Sequence, residues 1–177
     1  MTTSVDLTPD LQAWLRLADL DLIQGSQTND NRTIIWNKGG EVRNFIGLVD
    51  DWYVVTSSDR MGPETYDLAA ESMQVIEKYL YGELGSVVRG DELPSIRAPF
   101  ERDELRPGYD ISKVNFAGRE RRALIDHDGR AVAIAAVDRL VELSHYLDAS
   151  VDAIKNSYLS ADGKPLFGLW SDIKNTE

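Results

Sequence analysis

An α+β fold, an antiparallel sheet packed with helices and ending in a helix pair, is what this sequence predicts. Three observations carry the expectation. Runs rich in β-branched and aromatic residues at 33–37, 42–49 and 52–57 follow one another across short turns, the signature of an antiparallel meander. A second hairpin pattern, 123–126 and 131–135, spans His127-Asp128-Gly129, where Asp-Gly readily takes the positive φ of a tight turn. The longest regular apolar pattern, between Ala131 and Phe167, has helical spacing.

Taken in order, Thr8-Pro9-Asp10 reads as a helix start: a capping hydroxyl, proline at the first helical position, then an acid facing the helix dipole. Leu11, Trp14, Leu15 and Ala18 form its inner stripe, ending near Leu20. A polar loop over 25–31 leads to the three strands, with Lys38-Gly39-Gly40 and Asp50-Asp51 as turns. The continuous runs Ile34-Ile35-Trp36 and Tyr53-Val54-Val55 predict a central strand buried on both faces. Pro63-Glu64 predicts a helix to about Tyr81, with Met73, Ile76, Tyr79 and Leu80 inward and Gly82 and Gly85 ending it. The stretch 89–110, dense in proline and carboxylate, reads as a long irregular segment available to a partner. A strand at 109–115 precedes the second hairpin. Val137, Leu140, Val141, Ser144 and Leu147 then mark one helix, and Ser150 caps a shorter one carrying Val151, Ile154 and Tyr158. Asp162-Gly163 turns the chain into an apolar tail of Leu166, Phe167, Leu169 and Trp170. Without internal repeats or a linker, residues 1–177 are expected to form a single domain.

Composition narrows the function. The chain is 42% hydrophobic and 28% charged, within the range of globular proteins, and holds no cysteine, which excludes disulfides and thiolate metal sites. The N-terminus lacks the basic and apolar regions of a signal peptide and no apolar run is long enough to span a bilayer, so a cytoplasmic location is expected. Net charge is −11. Residues 1–105 carry 19 Asp and Glu against 9 Lys and Arg, while residues 106–177 carry 11 against 10. Such a field repels phosphate backbones and attracts basic surfaces.

Catalytic signatures are missing: there is no Walker loop, no GxGxxG and no GxSxG. Asp126-His127-Asp128 is the one cluster resembling a metal or acid–base site, but it falls at a hairpin tip where Asp serves the turn. His145 borders the apolar stripe of its helix. Trp14, Trp36, Trp52 and Trp170 are expected to fill the core, and Arg119, Arg121 and Arg122 to line a solvated strand edge. Arg89-Gly90-Asp91 matches an integrin-binding tripeptide, too short a motif to carry weight. Residues 140–159 have the layout of a helix-turn-helix, yet the second helix offers only Lys155, Asn156 and Ser157 beside Asp152. A DNA-binding regulator and a metal-dependent enzyme using Asp126 and Asp128 stand as alternatives. The main expectation is a protein with no catalytic, metal or cofactor site.

A resemblance sharpens this. GRAVAIAAVDRLVELSHYL, SVDAIKNSYL and DGKPLF, with TPDLQAWL and IIWNKGGE nearer the N-terminus, are similar to the immunity proteins of bacterial polymorphic toxin systems. That family includes the antitoxin of the tuberculosis necrotizing toxin, a secreted NAD glycohydrolase. The resemblance implies a cytoplasmic protein without activity of its own that binds a cognate toxin and blocks its NAD-cleaving site. Charge and predicted loops, rather than the resemblance, suggest the contact residues: Asp50, Asp51, Asp59, Asp91, Glu92, Glu101, Asp103 and Glu104, facing a basic partner surface. The oligomeric state is left open.

Overall fold

The computed structural model describes residues 3–173. Its frame is an eight-stranded antiparallel sheet in the order β1 (Leu20–Ile23), β2 (Thr33–Asn37), β3 (Val42–Val49), β4 (Trp52–Asp59), β5 (Thr65–Ala70), β9 (Ala131–Ala135), β8 (Arg119–Ile125) and β7 (Asp110–Phe116). The chain enters through α1 (Pro9–Leu17), where the Thr8 hydroxyl accepts from the Leu11 amide and Leu11, Trp14 and Leu15 are buried. The helix ends at Leu17, three residues earlier than the pattern predicts, because Asp19 takes a positive φ and starts the edge strand β1 (Leu20–Ile23). The predicted polar loop holds one turn of 3-10 helix, 25–27.

The meander forms as expected: β2 (Thr33–Asn37), β3 (Val42–Val49) and β4 (Trp52–Asp59). Asp50 and Asp51 both have positive φ, which Asp tolerates better than most residues and which a two-residue hairpin turn demands.

The next segment departs from expectation. Residues assigned to one helix divide into strand β5 (Thr65–Ala70) and helix α2 (Met73–Glu83). β5 pairs with both β4 and β9, and a bulge at Val55/Thr56 sets Asp67 out of register. The true start of α2 is Ser72, whose side chain accepts from the Val75 amide. Gly82 lies inside α2 and Gly85 opens α3 (Gly85–Arg89), so neither acts as a stop. They are glycines because a β-carbon would collide with the rings of Tyr146 and Tyr158 respectively.

The segment 89–110 is more ordered than predicted. Ile96–Arg97 (β6) pairs with Gly168–Leu169 (β10), and 102–104 forms a 3-10 turn closed by a reciprocal capping box between Glu101 and Glu104. β7 (Asp110–Phe116), β8 (Arg119–Ile125) and β9 (Ala131–Ala135) complete the large sheet. The helix pair follows as α4 (Val137–Leu147) and α5 (Val151–Leu159), with the Ser150 hydroxyl capping α5 through the Ala153 amide. A short helix α6 (Trp170–Ile173) ends the described chain.

One sheet face packs against α1, α2 and α4, and α5 packs in turn on α2 and α3. Trp14, Ile35, Ile46, Leu68, Ile76, Leu124, Leu140 and Leu143 are all buried in this core, each contributing about 1.5–3 kcal/mol by leaving water. Two-sided burial occurs, but on β5 and β9 rather than on the strands of the quoted apolar runs. The cause is curvature. Phe116 on β7 lies 5.9 Å from the Trp52 ring on β4 and 6.0 Å from the Tyr66 ring on β5. In a flat sheet, four strand spacings would separate β4 and β7 by about 19 Å. The β7–β8 hairpin therefore curls over the open face. Beneath it Ala69, Ala123 and Ile134 are buried in a second, smaller core, and the two alanines leave room for the bend.

A candidate docking face on the open side of the sheet

That curl covers only half of the open face. On β1, β2 and β3 the cross-strand register aligns Ile23, Ile34 and Phe45 in one row, and Asp21, Trp36 and Arg43 in the next. Outward-facing positions of an antiparallel sheet are normally polar. Here two aromatic rings and two isoleucines lie side by side, and none of the four belongs to either core cluster. Ile23 is 41% exposed. Ile34, Trp36, Gly39, Gly40, Arg43 and Phe45 line a shallow basin of about 430 Å³.

The basin has a fixed rim. The Arg32 guanidinium sits 4.6 Å above the Phe45 ring, and its stem lies across Gly47, where a β-carbon would meet Cγ and Cδ at 2.8 Å. Nε donates to Asp30 Oδ2 and Nη1 to Glu64 Oε2, both at 2.8 Å, while Thr56 Oγ1 donates to Glu64 at 2.6 Å. The Arg32 hydrogen bonds hold both carboxyls below their ordinary values. Arg32 is thus an immobilised cation over an aromatic ring, and both acids remain ionised at neutral pH.

The predicted contact acids fall in separate places. Asp50 and Asp51 sit at one end of the β3–β4 hairpin, and Asp59, paired with Val42, sits at the other, roughly 23 Å away along an eight-residue strand. Asp91, Glu92, Glu101, Asp103 and Glu104 belong to the helical side. There the Glu104 carbonyl meets His145 Nε2 at 2.8 Å, and the Glu104 carboxylate is held by Arg97 and by the amides of Phe100 and Glu101. These contacts push its pKa down to about 2, the Arg97 hydrogen bond first among them.

Other candidates resolve into structure. The Asp126 carboxylate accepts from the amides of Asp128 and Arg130, both at 2.9 Å, as an Asp in a tight turn does. His127 packs against Tyr109 at a tilt of 54°, with centroids 4.7 Å apart. Among the described residues no group of three or more His, Asp or Glu is placed to hold a metal ion, and no helix is long and apolar enough to cross a membrane. Lys155 of the would-be recognition helix pairs with Asp10 at 2.9 Å. Arg119, Arg121 and Arg122 are not on an edge, since β8 lies between β7 and β9. Arg121 instead stacks 3.8 Å over the Tyr66 ring, sealing the second core. Arg89 of the tripeptide is buried and cannot be read by a receptor. Of the tryptophans, Trp14 fills the main core and Trp52 packs against the second, but Trp36 belongs to neither and Trp170 is 45% exposed.

Comparison with known proteins decides the family. The pattern of immunity protein 61 matches residues 14–166. The chain belongs to the immunity protein 61 family. It is 62% identical over 175 residues to the "Immunity factor for TNT" of Mycobacterium tuberculosis, covering 98% of this chain and 99% of that protein. The homolog from Mycobacterium bovis matches to the same extent. A solved structure, "Rv3902c from M. tuberculosis", superposes with a TM-score of 0.94 at 62% identity, covering 97% of this chain and 99% of the other. An antitoxin role is therefore the family's assignment for this immunity protein.

Proposed function

We propose that this protein acts in the cytoplasm of the toxin-producing cell, binding a cognate NAD-glycohydrolase toxin and occluding the site that cleaves NAD. It has no catalysis of its own, needs no cofactor, and meets a partner whose contact surface is basic. The observation that carries the reading is full-length similarity to a protein named as the immunity factor for TNT. The charge of −11 supports it, since a single-sign field accelerates encounter with a basic enzyme cleft. Asp50, Asp51, Asp59, Asp91, Glu92, Glu101, Asp103 and Glu104 contribute to that field in this reading.

The test is co-expression with the toxin encoded beside this chain, following growth and cytosolic NAD together. The neighbour alone is expected to deplete NAD and stop growth, and this chain to restore both. Restored growth with NAD still depleted, or no rescue at all, overturns the reading.

A further inference from the structure

The uncovered half of the sheet face has the features of a contact surface, and the acidic loops do not share them. We infer that the toxin docks on the open face of β1–β3, around Ile23, Ile34, Trp36 and Phe45, and that the complementary toxin surface is an apolar projection flanked by lysine or arginine. This rests on the toxin-binding reading above and adds which face is used.

The first argument is the contrast within one sheet face. Where β7 and β8 curl back, Trp52, Tyr66 and Phe116 are covered by the chain itself. Where they do not, half-buried Trp36 and Phe45 present the same kind of ring and pack against neither core, with the Arg32 guanidinium lying over Phe45. Contiguous exposed apolar surface with aromatic anchors is characteristic of protein contact sites.

The second argument is rigidity. These side chains stand on three hydrogen-bonded strands, and the adjoining Arg32 is pinned by Asp30 and Glu64. Little backbone freedom is left to lose on binding, so more of the contact energy is retained as affinity. The helical-side acids are differently employed: Glu104 is already occupied by Arg97 and two amides.

The third argument is charge, which selects the occupant. From Asp19 to Glu64 the chain carries eight Asp and Glu against four Lys and Arg. Arg32, over the Phe45 ring, is more than neutralised by its two carboxylate partners, and Arg43 on one side of Trp36 is balanced by Asp21 on the other. Asp21 stands directly beside Trp36 in register, and Asp50, Asp51 and Asp59 bracket the ends of the β3–β4 hairpin. An apolar centre inside an acidic rim fits a cation-flanked hydrophobic projection and repels an acidic one. A second copy of this equally acidic chain is disfavoured for the same reason.

The experiment uses the full chain and the catalytic domain of the neighbouring toxin. Binding is measured by calorimetry for wild type, Trp36→Ala, Phe45→Ala and Ile23→Lys, with Glu92→Lys and Asp103→Lys as helical-side comparisons. Each variant is checked for its melting temperature and for mass in solution. Ile23→Lys lies on the exposed edge strand and keeps the rings intact, so it reports on the face even if a ring deletion disturbs the fold. The expected result is monomeric, folded variants in which each open-face change weakens affinity by at least about 30-fold, as loss of an aromatic hot spot does. The helical-side reversals should stay within about threefold. Open-face variants that bind like wild type, or a wild type that self-associates through this face, overturn the inference and leave the toxin reading standing. A wild type that does not bind the toxin overturns both.

Discussion

Arg89 offers the sharpest test of how the helical layer is held together. It is 7% exposed, and its hydrogen bonds all run to main-chain carbonyls: Nε to Pro94 at 2.7 Å, Nη1 to Tyr158 at 2.8 Å and Ser160 at 2.6 Å, and Nη2 to Ala161 at 3.0 Å. Three of those carbonyls belong to the C-terminal end of α5 and the residues just after it, where helix carbonyls lack intrahelical donors and the dipole favours a cation. Replacing Arg89 with Ala removes the donors and leaves four carbonyls without them. The cost should approach that of deleting one partner of a buried charged contact, about 3–5 kcal/mol. Lysine keeps the charge but presents one nitrogen with three donors, so at least one carbonyl is abandoned, at about 2 kcal/mol. Urea unfolding should show both losses with an unchanged slope. At about 2–4 °C per kcal/mol for a chain this size, Arg89→Ala should melt roughly 6–20 °C lower. An Arg89→Ala loss below about 1 kcal/mol would mean that water replaces the guanidinium and that the contact is not a clamp.

Three further outcomes follow from particular contacts. Burial raises the pKa of Glu142, whose carboxylate accepts from Tyr146 Oη at 2.5 Å. Its contribution to stability is therefore full below the ordinary carboxylate range and is lost as pH rises through the raised value, so Glu142→Gln should be more stabilising at pH 8 than at pH 4 when melting curves are compared. Glu104 has the opposite sign: with its pKa near 2, its contribution is present above about pH 4.5 and lost as pH falls toward 2. Glu104→Gln should lower stability at pH 7 and flatten the acid limb of the stability profile in that window. Phe116→Ala should cost about 2 kcal/mol, half the usual price of deleting a fully buried ring, and should speed amide exchange at the β7–β8 tip.

Local chemistry was readable wherever it decided the structure. Thr8, Asp50-Asp51 and Ser150 act through neighbours within four residues, and each cap or turn forms as the sequence predicts. β5 was not readable because its alanines and the preceding Pro63-Glu64 imitate a helix start, whereas its strand state is imposed by pairing with β4 and with β9, more than 60 residues later. Ser72 was the available signal for the real helix. Arg89 and Glu104 looked like parts of an irregular charged stretch because what orders them is distant in sequence: Arg89 binds carbonyls at and just beyond the end of α5, and β6, which carries Glu104's partner Arg97, is held by pairing with β10. Trp36 was the costliest misreading. An apolar run shows that a strand carries greasy side chains, but not whether anything covers its second face. That is settled by where the β7–β8 hairpin curls and where it stops.

The distinction between charge and contact bears on kinetics. Acids act through the field of the whole molecule, so their position on either side of the sheet matters less than their number. The rings act only after the surfaces meet. Raising ionic strength from about 0.01 to 0.15 M shortens the screening length from about 30 to 8 Å. Association with the toxin should slow steeply over that interval while dissociation barely changes. Glu92→Lys and Asp103→Lys should shift the association rate and its salt slope together. Trp36→Ala should leave that slope intact and speed dissociation, because it changes no charge and removes surface that becomes buried only in the complex. Stopped-flow traces at three salt concentrations separate the two effects. An association rate indifferent to salt would show that the acidic surface serves something other than steering, even if the aromatic face binds the toxin as inferred.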